Sequence, residues 1–247
     1  MIRYLIITIP DKKVLSVDFE YDETKTIMDL KKCIKGNYGI PVSFQVLIEN
    51  DIMFRVVNNY DLLCNYSTTL EMKIESIGMM SMSRLKYDTL IDFFGPKFIK
   101  CRKFLGNDTG TEQPFGIDET FECAKKRFMN DCDMRFLISI ENGIFRDDNG
   151  DVIDFCAVLM KDEETGRLFS NRKHIHSTFI KITDGNDYFD MIKDDVAETG
   201  LGFNTTIGFL LGKKYKIPKN NWMKHLNNFP REKQIYIALQ GLMKEVI

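Results

Sequence analysis

DTGTEQPFGIDETFECAKKR, residues 108–127, followed at residues 137–144 by LISIENGI, is the part of the chain from which the rest can be organised. The first stretch gathers several carboxylates, a turn at Pro114 and Gly116, and a short helix that ends in basic residues. The second is an apolar strand closed by Glu141. Magnesium binds through one or two carboxylates plus phosphate oxygens, so this layout suits a magnesium-bound phosphate. Working outward, the apolar periodicity predicts a strand at 77–81, a helix at 84–94 and a strand at 98–105. A loop at 106–118, a helix at 118–129 and a strand at 135–141 follow. A strand pair around 152–160 and 168–181 and helices near 187–198 and 231–245 complete the pattern. Helices alternating with strands and hairpins predict a mixed α/β sheet covered by helices. Ligands of such sheets lie beyond strand ends and at helix N-termini.

Residues 2–20 read as two strands joined at a turn over residues 10–13, where proline and aspartate favour reversal. Thr26 is a candidate helix N-cap with Asp29 three residues on, Ile27, Leu30 and Ile34 follow at helical spacing, and Gly36 reads as the stop. The strand FQVLIE (44–49), a turn at Asn50-Asp51, a short segment around Leu62 and the strand TLEMKIE (69–75) complete a ββαββ order. This order over residues 1–75 resembles ubiquitin and its β-grasp relatives. Ile48 falls where ubiquitin carries its interaction-patch isoleucine, whereas Lys73 stands where that patch is apolar. No Gly-Gly pair follows the last strand, so conjugation to targets is not expected. The module reads as an interaction or spacer domain, with protein partners rather than chemistry of its own. Residues 76–80 form a short apolar junction, which places the domains at 1–75 and 76–247.

The chain has 247 residues, 44% of them hydrophobic, which suffices for real cores. Its 34 basic and 36 acidic residues, net −2, argue against a broad nucleic-acid-binding face. Its six cysteines form no CxxC or zinc-like spacing and read as reduced core thiols. No apolar run is long enough to span a bilayer and no signal-peptide core stands at the N-terminus, so a cytoplasmic protein without membrane contact is expected.

The string E112-Q-P-F-G-I-D-E-T-F-E-C-A-K-K-R127 resembles the "EQPxGxxETxxxAxxR" segment of the inosine/xanthosine triphosphatase family, and SIENGI (139–144) resembles that family's "GIExGI" strand. SMSRLK (81–86) resembles its "STNPxK" phosphate loop, with Ser83 in place of asparagine and Arg84 in place of proline. Arg231, with YIAL at 236–239, is similar to the family's closing helix, with Pro230 in place of threonine. The resemblance implies magnesium-dependent hydrolysis of purine nucleoside triphosphates such as ITP and XTP, releasing phosphate or pyrophosphate, by a homodimer. It implies a metal site at Asp108 and Glu141, which would serve magnesium or manganese and carry the catalysis. Substrate contacts are implied at Ser81, Ser83, Lys86, Glu119, Arg127, Asn142 and Arg231. Each has a plainer reading: a serine turn caps a helix, Glu119 and Glu122 favour a helix N-terminus through its dipole, and Arg231 is a helix-start arginine. The alternative from another class is a decayed enzyme domain that binds nucleotide or protein without turnover. His174 and His176 would share one face of a strand, a two-histidine metal arrangement with no third ligand in view. Trp222, Phe203 and Phe229 read as core.

Overall fold

The computed structural model describes residues 2–9, 14–20, 22, 24–49, 58–60, 62, 69–74, 76–95, 100–129, 134–219 and 222–246. The chain divides into two compact units, one of residues 1–76 with 94–100 and 246–247, the other of residues 77–93 with 101–245.

In the first unit, β1 (Ile2–Ile9), β2 (Val14–Phe19), α1 (Ile27–Tyr38), β3 (Gln45–Glu49) and β4 (Thr69–Ile74) follow in the expected order. The sheet runs β2-β1-β4-β3, with β1 parallel to β4 and the other pairs antiparallel. Strand β2 buries Leu15, Val17 and Phe19 and exposes the residues between them, as a half-buried strand must. Ile27, Leu30 and Ile34 form the buried stripe of α1. Its start is held by Asp29, whose carboxylate accepts the Thr26 N–H at 3.0 Å and the Thr26 hydroxyl at 2.9 Å. The helix does not stop at Gly36. It runs on to Tyr38 and is closed by Gly39, whose φ of 67° is the left-handed conformation that glycine adopts without penalty. The turns expected over residues 10–13 and at Asn50-Asp51, and the side chains of Ile48 and Lys73, lie outside what is described.

The second unit carries a mixed sheet in the order β10-β9-β8-β5-β6. Its strands are β5 (Ile77–Met80), β6 (Cys101–Phe104), β8 (Phe136–Arg146), β9 (Val152–Asp162) and β10 (Leu168–Ser170), with β11 (Ile180–Lys181) also on β9. Strand β5 is parallel to β6 and β8, whereas β8 and β9 form a long antiparallel hairpin. Helices α2 (Arg84–Phe94), α3 (Ile117–Lys126), α4 (Gly185–Ile192), α5 (Ile207–Tyr215), α6 (Trp222–Asn227) and α7 (Arg231–Met243) surround it. The apolar run of β9, interrupted only by Asp154 before Lys161, follows from burial on both faces. Phe155, Ala157 and Leu159 pack with Phe121 and Ala124 of α3, while Val152 joins Ile144, Trp222 and Met223 in a second cluster. Two more short strands, β7 (Gln113–Pro114) and β12 (Gly202–Phe203), pair with each other.

In this unit the helix expected near 187–198 spans Gly185–Ile192 and α5 and α6 stand where no helix was expected, and two strand expectations change as well. Strand β8 does not end at Glu141 but continues to Arg146, so the carboxylate stands in mid-strand. The segment 168–181 is not one strand, because Asn171 takes over the pairing: its Oδ1 accepts the Val158 N–H and its Nδ2 donates to the Cys156 carbonyl, both at 2.9 Å. With β9 satisfied by a side chain, the backbone turns into a 3-10 helix at Arg172–Thr178, which takes His174 and His176 out of a shared strand face. Burial pushes the Cys156 thiol up to about 12 and the Cys123 thiol up to about 11, so both are neutral core groups. Among the described residues, no helix is long and apolar enough to cross a membrane.

Candidate functional site

The site grows out of an unpaired edge. Strand β5 pairs with β8 only as far as Ile138, whereas β9 accompanies β8 to Arg146. From Ser139 to Gly143 the β8 edge has no strand partner among the described residues, before Phe115 bridges Ile144 in parallel, and the Lys86 ammonium from α2 reaches it at Ile140. Ser83 Oγ accepts the Lys86 N–H at 3.4 Å and so caps the start of α2, while Ser81 Oγ accepts the Ser83 N–H at 3.2 Å and holds the turn before it. That cap aims Lys86 at β8, where its ammonium donates to the Ile140 carbonyl and to Glu141 Oε2, the latter at 3.4 Å.

Glu141 is 9% exposed and has a cation on each side. Arg127, at the C-terminal end of α3, donates its Nε–H to Glu141 Oε1 at 2.6 Å. Burial alone would raise the carboxyl pKa, but the charges of Lys86 and Arg127 outweigh it and hold Glu141 below the ordinary carboxylate range. The glutamate is therefore ionised, buried and paired. Arg127 also donates from Nη1 to the Asn107 carbonyl at 3.1 Å, which fastens the loop carrying Asp108 to the same centre.

These groups line a cavity of about 450 Å³. Arg84, Lys86, Arg127, Lys219 and Arg231 face Glu112, Glu141 and Asp154 around it, a surplus of cations fit for an anionic ligand. Glu141 and Asn142 are neighbours on β8 and point to opposite faces, yet both line the cavity, because it passes the free strand edge. Asn142 leads to a second cluster. Its Nδ2 donates to Gln234 Oε1 at 3.2 Å and to the Phe155 carbonyl at 3.3 Å. Gln234 Nε2 donates to Asp154 Oδ1 and to the Thr178 carbonyl, both at 2.8 Å. Arg231, the first residue of α7, grips both oxygens of Asp154, with Nη2 at 2.9 Å from Oδ2. Its guanidinium carbon lies 5.5 Å from the centre of the Trp222 ring.

Of the residues singled out from sequence, Ser83, Lys86, Arg127, Glu141, Asn142 and Arg231 meet in this cavity. Ser81 does not line it but holds the turn into α2. Asp108 is exposed on its loop, where Oδ1 accepts the Gly110 N–H at 2.9 Å, and it does not line the cavity. Glu119 also lies outside the lining, folded back over Gly116 at the start of α3, where its charge suits the helix N-terminus. Asp154 and Gln234 were not singled out. The available signal was an acid inside an otherwise apolar strand and a glutamine one helical turn beyond Arg231. Among the described residues, no cluster of three or more His, Cys, Asp or Glu side chains is arranged to hold a metal ion. Magnesium asks less of a protein: one or two carboxylates beside substrate phosphates, and both Glu141 and Glu112 line the cavity. Compared with known proteins, the chain matches no family model, and no curated protein sequence matches it significantly.

Proposed function

We propose that the second unit is a magnesium-dependent hydrolase of purine nucleoside triphosphates of the ITP and XTP type. The observation that carries this reading is the ionised Glu141 held between Lys86 and Arg127 in a cation-rich cavity. Lys86 and Arg127 would neutralise the phosphate chain, aided by Ser83 and the backbone amides that open α2. Glu141 would hold magnesium or manganese, with Glu112 as the second carboxylate lining the cavity. A bound ion of this kind supplies charge neutralisation and activates the attacking water. Glu141 is suited to that role because its low pKa keeps the carboxylate charged at neutral pH. Arg231 would face the base. The resemblance of residues 76–247 to the inosine/xanthosine triphosphatase family supports the same assignment, with a homodimer and a cytoplasmic setting as its corollaries. The first unit would be a ubiquitin-like β-grasp module that serves a protein partner.

A second reading, nucleotide binding without turnover, is favoured by one observation: both cations nearest Glu141 are already neutralised by it. Comparing wild type with Glu141→Gln separates the two. The hydrolase reading expects ITP cleavage that falls by two orders of magnitude or more in the variant. Equal rates in both proteins, or ITP binding with no cleavage by wild type, would sink it.

A further inference from the structure

Helix α7 serves two cavities. Arg231 and Ile235 line the one described above, whereas Ile237, Gln240, Gly241 and Lys244, which fall on one stripe of the helix, line another of about 380 Å³ that shares no residue with the first. The facing wall is the 3-10 helix at Arg172–Thr178. Side chains three apart eclipse in such a helix, so burial of Ile175 and Thr178 sets Lys173 over His176 and His174 over Ser177, and all four line the cavity. Gly241 lets the two helices meet, because a Cβ there would stand 2.9 Å from the His174 Cβ.

The chemistry of these walls is one-sided. Two lysines and two of the chain's three histidines line the cavity and, among the described residues, no acid does, in a chain whose net charge is −2. Glu245 stands beside it and holds Lys173 at 2.6 Å and His174 Nε2 at 3.5 Å. Ser177 Oγ donates to the His174 carbonyl at 2.7 Å. The His176 ring nitrogens, the Gln240 amide and the Lys244 ammonium have no hydrogen-bond or ion-pair partner among the described residues. An ammonium, an imidazole and an amide that face one space with no carboxylate among them suit a ligand that is anionic and rich in acceptors. We propose that this cavity is a second anion site, which takes a phosphate group either as free phosphate or diphosphate or carried on a nucleoside monophosphate. Side chains hold the ligand rather than a helix dipole, because Lys244 caps the C-terminal, partially negative end of α7. Neither the hydrolase reading nor magnesium enters this assignment.

The histidines supply the readout. His174 and His176 line the cavity, whereas His225, on α6, lines neither cavity and serves as the reference. The test is a proton NMR titration of the histidine ring signals of the full-length protein, without magnesium, using inorganic phosphate, diphosphate and IMP, with the signals assigned through His176→Gln. The expected result is a saturable shift of the His174 and His176 signals. Lys244→Ala should weaken it roughly tenfold, the loss of one charge-assisted contact, without changing the melting temperature, since Lys244 is exposed. Lys86→Ala, which alters the other cavity, should leave it unchanged. Tighter binding of phosphate or diphosphate than of IMP would assign the free ion, and the reverse order the nucleotide. Shifts that do not saturate, that His225 shares equally, or that have the same affinity in wild type and Lys244→Ala would overturn the proposal. Saturable shifts in a protein that cleaves no nucleotide would uphold it and remove only the hydrolase reading.

Discussion

A Cβ placed on Gly143 would stand 1.9 Å from the Thr120 hydroxyl, so helix α3 can lie against β8 only because that position has no side chain. The contact sets the height of α3 above the sheet, and α3 carries Arg127 to Glu141. The Thr120 hydroxyl donates to the Gly116 carbonyl at 2.7 Å, so it cannot turn away without losing that bond. Gly143→Ala is expected to destabilise the protein by roughly 1–3 kcal/mol through overpacking. Adding Thr120→Ala should recover part of the loss, and a double-mutant cycle by urea denaturation measures the coupling. Additive losses would show that the two residues do not touch.

Glu141 links stability to pH. Its folded-state pKa lies below the ordinary value of 4.5, so its stabilising contribution is fully present above that pH and is lost as pH falls through the folded value. Glu141→Gln leaves Lys86 and Arg127 without their buried partner, at a cost of roughly 3–5 kcal/mol at neutral pH. Denaturant melts from pH 7 downward should show the gap between wild type and variant closing only below about 4.5. A gap independent of pH would mean that the charge of Glu141 is not what stabilises the site.

Arg231 and Asp154 form a two-pronged pair with side chains 13% and 3% exposed, whereas Arg172 and Asp118 pair at 50% and 79%. Lysine cannot reproduce two parallel hydrogen bonds, so Arg231→Lys should lower the melting temperature by several degrees. Arg172→Lys should leave it unchanged, because solvent screens that pair. Equal shifts in thermal scans would show that burial does not set the worth of these contacts.

Two glycines of α1 should respond with opposite signs. Gly36 sits inside the helix with open space around it, and Gly36→Ala should stabilise by roughly 0.5–1 kcal/mol. Gly39 holds φ at 67°, and Gly39→Ala should destabilise by about 1 kcal/mol. Chemical denaturation of the two variants decides it, and the same sign for both would contradict the cap assignment.

This pair also shows where local pattern ends. Thr26, Asp29 and the Ile27, Leu30, Ile34 stripe announce a helix, but two glycines three residues apart compete as its stop, and only the backbone angle separates them. Helix α2 was legible because the serine cap and its apolar positions are contiguous in sequence. The 3-10 helix at Arg172–Thr178 was not, because Asn171 acts through groups 13 and 15 residues away. In the candidate site, Glu141 stood out as a charge after an apolar run, and Lys86 and Arg127 through the motifs around them. Asp154 and Gln234 did not, because their partners lie 77 and 80 residues away, a distance that no local periodicity reports.

Where Glu141, Lys86 and Arg127 meet, the proposed reaction is magnesium-dependent triphosphate hydrolysis. The most direct measurement is release of phosphate and pyrophosphate, assayed separately, from ITP, XTP, GTP and ATP by the wild-type protein with and without magnesium. Metal-dependent turnover of ITP and XTP well above that of ATP is the expected result. No release from any of the four nucleotides would contradict it.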